Sequence, residues 1–169
     1  MMKIKELSKI LNQITDKQIE DLARAVDEAS SIFLIGNGGS NAVASHMAVD
    51  YMKFLKKRCF VPNASDLVTM MVNDYGADEM YSRFVEYYYN PGESQLAILI
   101  SSSGNSTNII NAASRCNLYD IPTIVLTGFS KTNTMNNLTS PNIIFKYWVE
   151  SKNYGVVEMA HHSFLHAIV

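Results

Sequence analysis

Apolar residues recur at three- and four-residue spacings over the first part of the chain. Two such sets are separated by Thr15 and Asp16, namely Ile4, Leu7, Ile10, Leu11 and Ile14, and then Ile19, Leu22, Ala23 and Val26. This spacing is typical of amphipathic helices. We therefore predict two short helices, the second starting at Thr15, which has Gln18 at the capping-box spacing. We expect this segment, residues 1–30, to pack on the rest of the chain or on a partner subunit.

From residue 31 the pattern changes to short apolar runs separated by stretches of helical length. The runs are 32–35, 96–100, 121–126 and 142–147. Continuous apolar runs of this kind are typical of parallel strands that helices cover on both faces. We predict one three-layer α/β domain over residues 31–169. Its helices are expected at about 40–54, 79–89, 106–115 and from 155 to the end of the chain.

Composition narrows the class of protein. Of 169 residues, 47% are hydrophobic and 18% are charged, with 14 Lys and Arg against 16 Asp and Glu. This balance lacks the basic excess of a nucleic-acid binder or of a protein that binds anionic membranes. Cys59 and Cys116 form neither a disulfide framework nor a zinc knuckle. The start of the chain has no signal-peptide pattern and the apolar runs are too short to span a bilayer, so we expect a cytoplasmic protein.

A glycine-rich turn follows the first apolar run. Gly36, Gly38 and Gly39 allow close backbone approach and positive φ, and Ser40 adds a hydroxyl where a helix begins. Such a turn can hold an anion. A dinucleotide fingerprint would need a third glycine where Asn41 stands, and a Walker loop would need a lysine that is absent, so we rank a nucleotide-binding domain last.

A serine-rich turn follows the second apolar run. Residues 101–106 contain four serines and Gly104 and lead into another predicted helix. Hydroxyls, free backbone N–H groups and the positive end of the helix dipole would meet there, at the carboxyl end of a strand, where open α/β sheets bind ligands. Neither turn contains Lys or Arg, which favours a small phosphorylated metabolite held by neutral donors.

These motifs resemble the sugar isomerase (SIS) domain family, and within it the phosphoheptose isomerases, which act on sedoheptulose 7-phosphate. The similarity covers nearly the whole chain and rests on residues 36–40, 73–76 with 82–83, 101–106, 126–128 and 154–158, together with His161 and His166. The resemblance implies a five-stranded parallel sheet flanked by helices. It also implies a homotetramer or dimer whose sites lie at subunit boundaries.

The resemblance further implies which residues bind the substrate. The phosphate and sugar hydroxyls would contact Asn37, Gly38, Ser40, Asp74, Ser101, Ser102, Ser103 and Ser106. The family's catalytic Glu, four residues beyond a His, corresponds to Asp50 after His46, and its Gln and His on the last helix correspond to Glu158 and His166. Asp50 is one methylene shorter, and Glu158 adds a titratable group. Both departures are compatible with a phosphosugar as the substrate class, but they leave the identity of the sugar open.

A ketose and an aldose phosphate interconvert by proton transfer between C1 and C2 through an enediolate. A carboxylate and an imidazole can divide this work near neutral pH. We expect Asp50 as base, His166 as acid and Glu158 in an assisting role, with no required cofactor. His166 falls in the last turn of its predicted helix, where hydrogen bonds fray, so it needs a neighbour that holds it.

Some family members bind zinc at the positions of His46, Asp50, Glu158 and His166, which makes these residues a candidate metal set. However, Glu158 and His166 are separated by ~12 Å of helical rise. Ligands from a neighbouring subunit, or histidines that only pack, are alternatives to a site within one chain.

The favoured function is thus an isomerase that converts sedoheptulose 7-phosphate to heptose 7-phosphate for a bacterial lipopolysaccharide or capsule. The alternative is a non-catalytic SIS module that acts as a phosphosugar sensor or a protein-binding scaffold.

Overall fold

The computed structural model of the protein describes residues 4–169. This range contains five strands and eight helices. The strands are β1 (Ser31–Gly36), β2 (Arg58–Phe60), β3 (Gln95–Ser101), β4 (Thr123–Thr127) and β5 (Ile143–Trp148). The helices are α1 (Ile4–Leu11), α2 (Asp16–Glu28), α3 (Gly38–Leu55), α4 (Ser65–Tyr75), α5 (Met80–Tyr88), α6 (Thr107–Leu118), α7 (Thr134–Asn137) and α8 (Tyr154–His166).

The five strands form one parallel sheet in the order β2-β1-β3-β4-β5. The predicted five-stranded parallel sheet is confirmed. After β1 the chain runs to one edge of the sheet through β2, and from β3 onward it runs to the other edge. Open sheets of this order bind ligands where the direction reverses, at the carboxyl ends of β1 and β3. Gly36 pairs with Ile100 in the register, so the glycine and serine turns leave the sheet side by side.

Two apolar layers cover the sheet. Ile32 and Leu34 of β1 pack with α1, α2, α3 and α8 on one face, whereas Phe33 and Ile35 pack with α4, α5, α6 and α7 on the other. Every residue of β1, β3 and β4 is buried. This explains why these strands read as continuous apolar runs and confirms the three-layer prediction.

The N-terminal helices pack on the α8 side of the domain. Thr15 and Gln18 form the predicted capping box at the start of α2. Ile10 of α1 is buried against the same core, and the Ser151 hydroxyl donates to the Glu6 carboxylate at 2.6 Å. The helices thus cover one face of the sheet within the same chain, while a domain boundary at residue 30 stays a prediction.

Three elements were missed by the apolar pattern, namely β2, α4 and the four-residue helix α7. Strand β2 has three partly exposed residues at the edge of the sheet, too few to show a run. Helix α4 buries Met71 fully and leaves Met70 and Val72 exposed, which blurs its periodicity. Helix α8 ends at His166 and not at the last residue. Among residues 4–169, none of the helices combines the length and apolar character needed to cross a bilayer.

Candidate functional site

A cavity of about 210 Å³ opens between the two turns at the carboxyl edge of β1 and β3. Ser40 and Ser103 both line it, as the pairing of these turns in the sequence predicted. Its full lining is Asn37, Gly38, Gly39, Ser40, Ile100, Ser101, Ser102, Ser103, Ser106, Tyr154 and Glu158. Eight of the residues predicted from the sequence to bind substrate or assist catalysis therefore meet in one place, namely Asn37, Gly38, Ser40, Ser101, Ser102, Ser103, Ser106 and Glu158.

The glycine turn is fixed by its neighbours. Gly38 has φ of +52°, which favours glycine. The Asn37 side chain exchanges hydrogen bonds with Asn108 at 2.9 and 3.1 Å. Tyr81 donates its hydroxyl to the Gly36 carbonyl and lies 3.0 Å from the Asn37 Oδ1. Neither Asn108 nor Tyr81 was predicted from the sequence. Asn108 holds the start of α3 beside the start of α6, and Tyr81 holds it to α5.

The serine turn is built around its own hydroxyls. The Ser101 Oγ accepts the Gly104 N–H at 3.1 Å, and the Ser103 Oγ accepts the Asn105 N–H at 3.2 Å. Gly104 has φ of +66°. The Ser102 hydroxyl is buried and has no hydrogen-bond partner among residues 4–169. A buried hydroxyl of this kind is destabilising unless a ligand satisfies it.

The loop after β4 holds the serine turn from behind. The Gly128 N–H donates to the Ser102 carbonyl at 3.0 Å, and the Met135 N–H donates to the Gly104 carbonyl at 2.9 Å. The buried Asn133 side chain packs so closely on Gly104 that a Cβ there would overlap it. The turn is thus preorganised before a ligand arrives, which lowers the entropic cost of binding.

The electrostatics of the cavity favour an anion held by neutral groups. The helices α3 and α6 both begin at its wall, so that free N–H groups and the positive ends of two helix dipoles face it. Neither helix start has a side-chain cap hydrogen bond. No lysine or arginine lines the cavity within the described part of the chain. These features together fit a phosphate monoester.

Glu158 is the one carboxylate on the cavity wall in residues 4–169. It reaches the wall because α8 packs beside α3, and its carboxylate lies directly against the Cα of Gly39. A Cβ at position 39 would overlap the Glu158 oxygens, so glycine is what allows the carboxylate to lie in this position.

A second cluster lies further along α3 and α8. The Asp50 Oδ2 is 3.1 Å from the Nε2 of His46 and 3.1 Å from the Nε2 of His166. Donor atoms of these three residues all lie within 4.8 Å of one another. The ring of His162 is 4.6 Å from that of His46, centroid to centroid. Burial, and then the neighbouring His46 and His166, lowers the pKa of His162, which favours the neutral imidazole.

The residues of this cluster fit a divalent metal ion. Two donors of a tetrahedral zinc ion with bonds near 2.0 Å lie about 3.3 Å apart, close to the two observed distances to Asp50. Of the four residues predicted as metal ligands, His46, Asp50 and His166 come together, whereas Glu158 lies against Gly39 and outside this group.

Two further predicted residues are placed outside the cavity. Asp74 lies exposed at the end of α4 and hydrogen-bonds to Asn73, so within one chain it does not reach the cavity wall. His166, predicted to need support, receives it from two neighbours. The Tyr51 hydroxyl donates to the Leu165 carbonyl at 2.9 Å, and Asp50 contacts the imidazole.

His161 is a structural residue. It is completely buried, and its Nε2 lies 3.0 Å from the Thr127 carbonyl. A carbonyl only accepts, so Nε2 carries the proton. Burial lowers the pKa of His161 to about 4, and the hydrogen bond to Thr127 offsets part of that effect. The neutral ring thereby ties α8 to the end of β4.

Residues 3–128 match the family model of the SIS domain. The phosphoheptose isomerase of Aliarcobacter butzleri is 31% identical over 171 residues, which cover 98% of this chain and 87% of that protein. Its counterpart from Fusobacterium nucleatum is 34% identical over 119 residues, or 68% of this chain and 60% of the relative. The phosphoheptose isomerase of Aneurinibacillus thermoaerophilus is 35% identical over 129 residues, which cover 73% of this chain and 62% of that protein. The chain thus aligns with only about three fifths of these last two relatives.

Solved structures share the fold. A phosphoheptose isomerase from Neisseria gonorrhoeae superposes with a TM-score of 0.85 at 24% identity, covering 96% of this chain and 88% of that one. The Vibrio vulnificus NanR protein complexed with ManNAc-6P superposes with a TM-score of 0.68 at 18% identity. The superposition covers 98% of this chain and 58% of that one. With the sheet order, the two turns and the family match in agreement, the chain belongs to the SIS domain family.

Proposed function

We propose that this protein is a phosphosugar isomerase that interconverts a ketose phosphate and an aldose phosphate. The observation that carries the proposal is the cavity where two helix starts, the serine hydroxyls and Glu158 meet without a lysine or arginine among its described lining. Sedoheptulose 7-phosphate is the proposed substrate and heptose 7-phosphate the product, since the relatives from three bacteria are phosphoheptose isomerases. A role in bacterial surface polysaccharide synthesis in the cytoplasm follows from that choice.

The proposed chemistry needs two proton-transfer groups near C1 and C2. Asp50 removes the C1 proton of the ketose and returns it to C2. His166 gives a proton to the C2 oxygen and accepts one from the C1 hydroxyl, so the enediolate forms and collapses with no net change in protons. Both imidazoles contact the Asp50 Oδ2, which leaves Oδ1 for the substrate. Glu158 assists from the cavity wall.

The spacing along α3 favours a long sugar chain over a short one, since Asp50 stands about 15 Å of helical rise beyond Ser40. Ser40 on the cavity wall precedes His46 by about 9 Å of helical rise. In an extended sedoheptulose 7-phosphate, the phosphorus and C2 are about 8 Å apart, at the length per bond of an extended chain. A phosphate held by the serine turn would therefore bring the reacting carbons towards the cluster of His46, Asp50 and His166.

A divalent ion such as Zn²⁺ would be held by His46, Asp50 and His166. It would supply a fixed positive charge that favours an enediolate over the neutral sugar.

We also infer a homo-oligomer, with a tetramer favoured over a dimer. Val49, Met52 and Phe54 of α3 and Met159 of α8 are exposed apolar residues close to the catalytic cluster. A second copy of the chain that covered these four residues would complete the site. Across such an interface, Asp74 of one copy could reach the cavity of the other. Light scattering of the wild type and of Met52→Glu tests this inference, because a charge in the interface should shift the assembly towards the monomer.

Incubation with sedoheptulose 7-phosphate, followed by detection of the aldose phosphate, tests the enzyme. Wild type should produce aldose, and Asp50→Asn and His166→Ala should lower kcat by at least about 100-fold, the usual range for a proton-transfer group. Both variants should still bind the substrate in a thermal-shift assay. Lys17→Ala, on exposed α2, is the control with unchanged turnover. Wild-type protein without turnover on any ketose phosphate would reject the proposal.

One observation favours the non-catalytic alternative. Asp50 lies between two imidazoles and, in the single chain, it is not part of the cavity wall. A sensor would show strong stabilisation by sugar phosphates with no product from any of them.

A further inference from the structure

We propose that His162, and not Glu158, completes the metal site of this protein. The donor set is then His46, Asp50, His162 and His166, three imidazoles and one carboxylate on two helices. The inference rests on the metal part of the proposed function. It assigns Glu158 to the sugar cavity alone.

The position of Glu158 argues against its being a ligand. Its carboxylate lies against Gly39 at the start of α3, whereas Asp50 stands about 16 Å of helical rise further along that helix. Contacts between the two helices advance in the same direction, from Gly39 with Glu158 to Asp50 with His166. Glu158 therefore lies where the contact between α3 and α8 meets the cavity, and His166 lies at the other end of that contact.

The position of His162 argues for its being a ligand. It lies four residues after Glu158 and four before His166, hence on the same face of α8. Its Nε2 is buried and has no hydrogen-bond partner within the described range of the chain. A buried, unpaired imidazole nitrogen is costly, and in the neutral ring this atom can offer a lone pair to a metal ion.

The spacing of the three rings matches a tetrahedral ion. With Zn–N bonds of 2.0–2.1 Å, ring centroids of two histidines on one zinc lie about 5 Å apart. The observed separations are 4.6 Å for His46 and His162, 5.9 Å for His162 and His166, and 6.0 Å for His46 and His166. Donor atoms of His46, Asp50 and His166 already lie within 4.8 Å of one another. His162 lies outside that limit, and a rotation of its side chain would bring its Nε2 to the same ion.

The donor chemistry selects the kind of metal. Imidazole nitrogens suit zinc and other late transition metals, whereas magnesium and calcium prefer oxygen donors. Four protein ligands also close a tetrahedral shell, which is the arrangement of structural zinc sites. Such an ion would fasten α3 to α8 through the Asp50 Oδ2 and the His166 Nε2, so that the Asp50 Oδ1 and the His166 Nδ1 remain for proton transfer.

Metal binding by the full chain, stripped of metal with a chelator, tests this set without reference to turnover. Wild type should bind one Zn²⁺ per chain in a titration against a chromophoric chelator. His162→Phe keeps an aromatic ring beside His46 but has no donor. It should weaken Zn²⁺ binding by at least about 100-fold, because loss of an outer-shell partner alone costs 10 to 100-fold.

Glu158→Leu is the matched variant on the same helix face. It has no donor atom, and its Zn²⁺ affinity should stay within about threefold of wild type, below the outer-shell range. With Co²⁺, wild type and Glu158→Leu should share one visible absorption spectrum, and His162→Phe should lose it. Unchanged Zn²⁺ affinity in His162→Phe, a large loss in Glu158→Leu, or no stoichiometric binding by wild type would each overturn the inference. Failure of the proposed isomerase would be seen separately, as absent turnover by wild type with or without Zn²⁺.

Discussion

Gly39 lies directly beneath the carboxylate of Glu158, which brings the start of α3 and the second turn of α8 into contact at the cavity wall. We predict that Gly39→Ala moves the Glu158 carboxylate, the end of a flexible side chain, while the fold is retained. The free energy of unfolding should change by less than about 1 kcal/mol, since alanine also favours the helix. The kcat/KM for the sugar phosphate should fall at least about tenfold, or 1.4 kcal/mol.

Gly36→Ala is the contrasting variant for this prediction. A Cβ at position 36 would come within 2.7 Å of the Ser40 backbone, which cannot move as a side chain can. We expect a loss of about 2 kcal/mol of stability, as in overpacked cores. Thermal unfolding of both variants checks the contrast. Equal destabilisation by the two substitutions would contradict it.

Ser102→Ala should separate ligand binding from stability. The Ser102 hydroxyl is buried without a partner in the described chain, so its removal should leave the ligand-free melting temperature unchanged or slightly higher. The stabilisation by a sugar phosphate should correspond to an affinity at least about tenfold weaker, because a hydrogen bond to a charged group is lost. Ser114→Ala, exposed on α6, is the control and should match wild type in both measurements.

Tyr51→Phe tests the support of the last turn of α8. The variant leaves the Leu165 carbonyl without the Tyr51 hydroxyl, at a cost of about 1 to 2 kcal/mol in unfolding free energy. Because His166 follows Leu165, we also expect faster amide hydrogen exchange in this turn and lower kcat. Unaltered exchange at residues 165–169 would show that Asp50 alone holds His166.

The lowered pKa of His161 predicts how the free energy of unfolding depends on pH. Its pKa is about 4 in the folded protein and near 6.5 in the unfolded chain, so the unfolded state binds the additional proton between these values. Its contribution to stability is therefore complete above about pH 6.5. It declines as the pH falls towards 4, by roughly 3 kcal/mol in all.

Urea unfolding of wild type and His161→Gln at several pH values measures this dependence. Glutamine can donate to the Thr127 carbonyl but does not titrate, so the variant should have a flatter profile between pH 4 and 6.5. Parallel profiles would assign the acid sensitivity to other groups.

The apolar pattern predicted four of the five strands because strands buried on both faces must be apolar throughout. It missed β2, since an exposed residue and two partly buried ones at the edge of the sheet carry no such constraint. The two turns were also predictable, because their glycines and serines are adjacent in sequence and each follows a strand. The order of the strands is not local information, and it is what sets Gly36 beside Ile100.

The sequence by itself determined the layers of this protein and its glycine-rich and serine-rich turns, since each of these features depends on residues that are close together in the chain. Only the tertiary structure decided that α8 lies along α3, so that Glu158 reaches the cavity wall while His162 and His166 reach His46 and Asp50. These contacts join residues more than a hundred positions apart. Which residues meet depends on how α3 and α8 pack on the same face of the sheet, and this cannot be predicted from the spacing of residues within either helix.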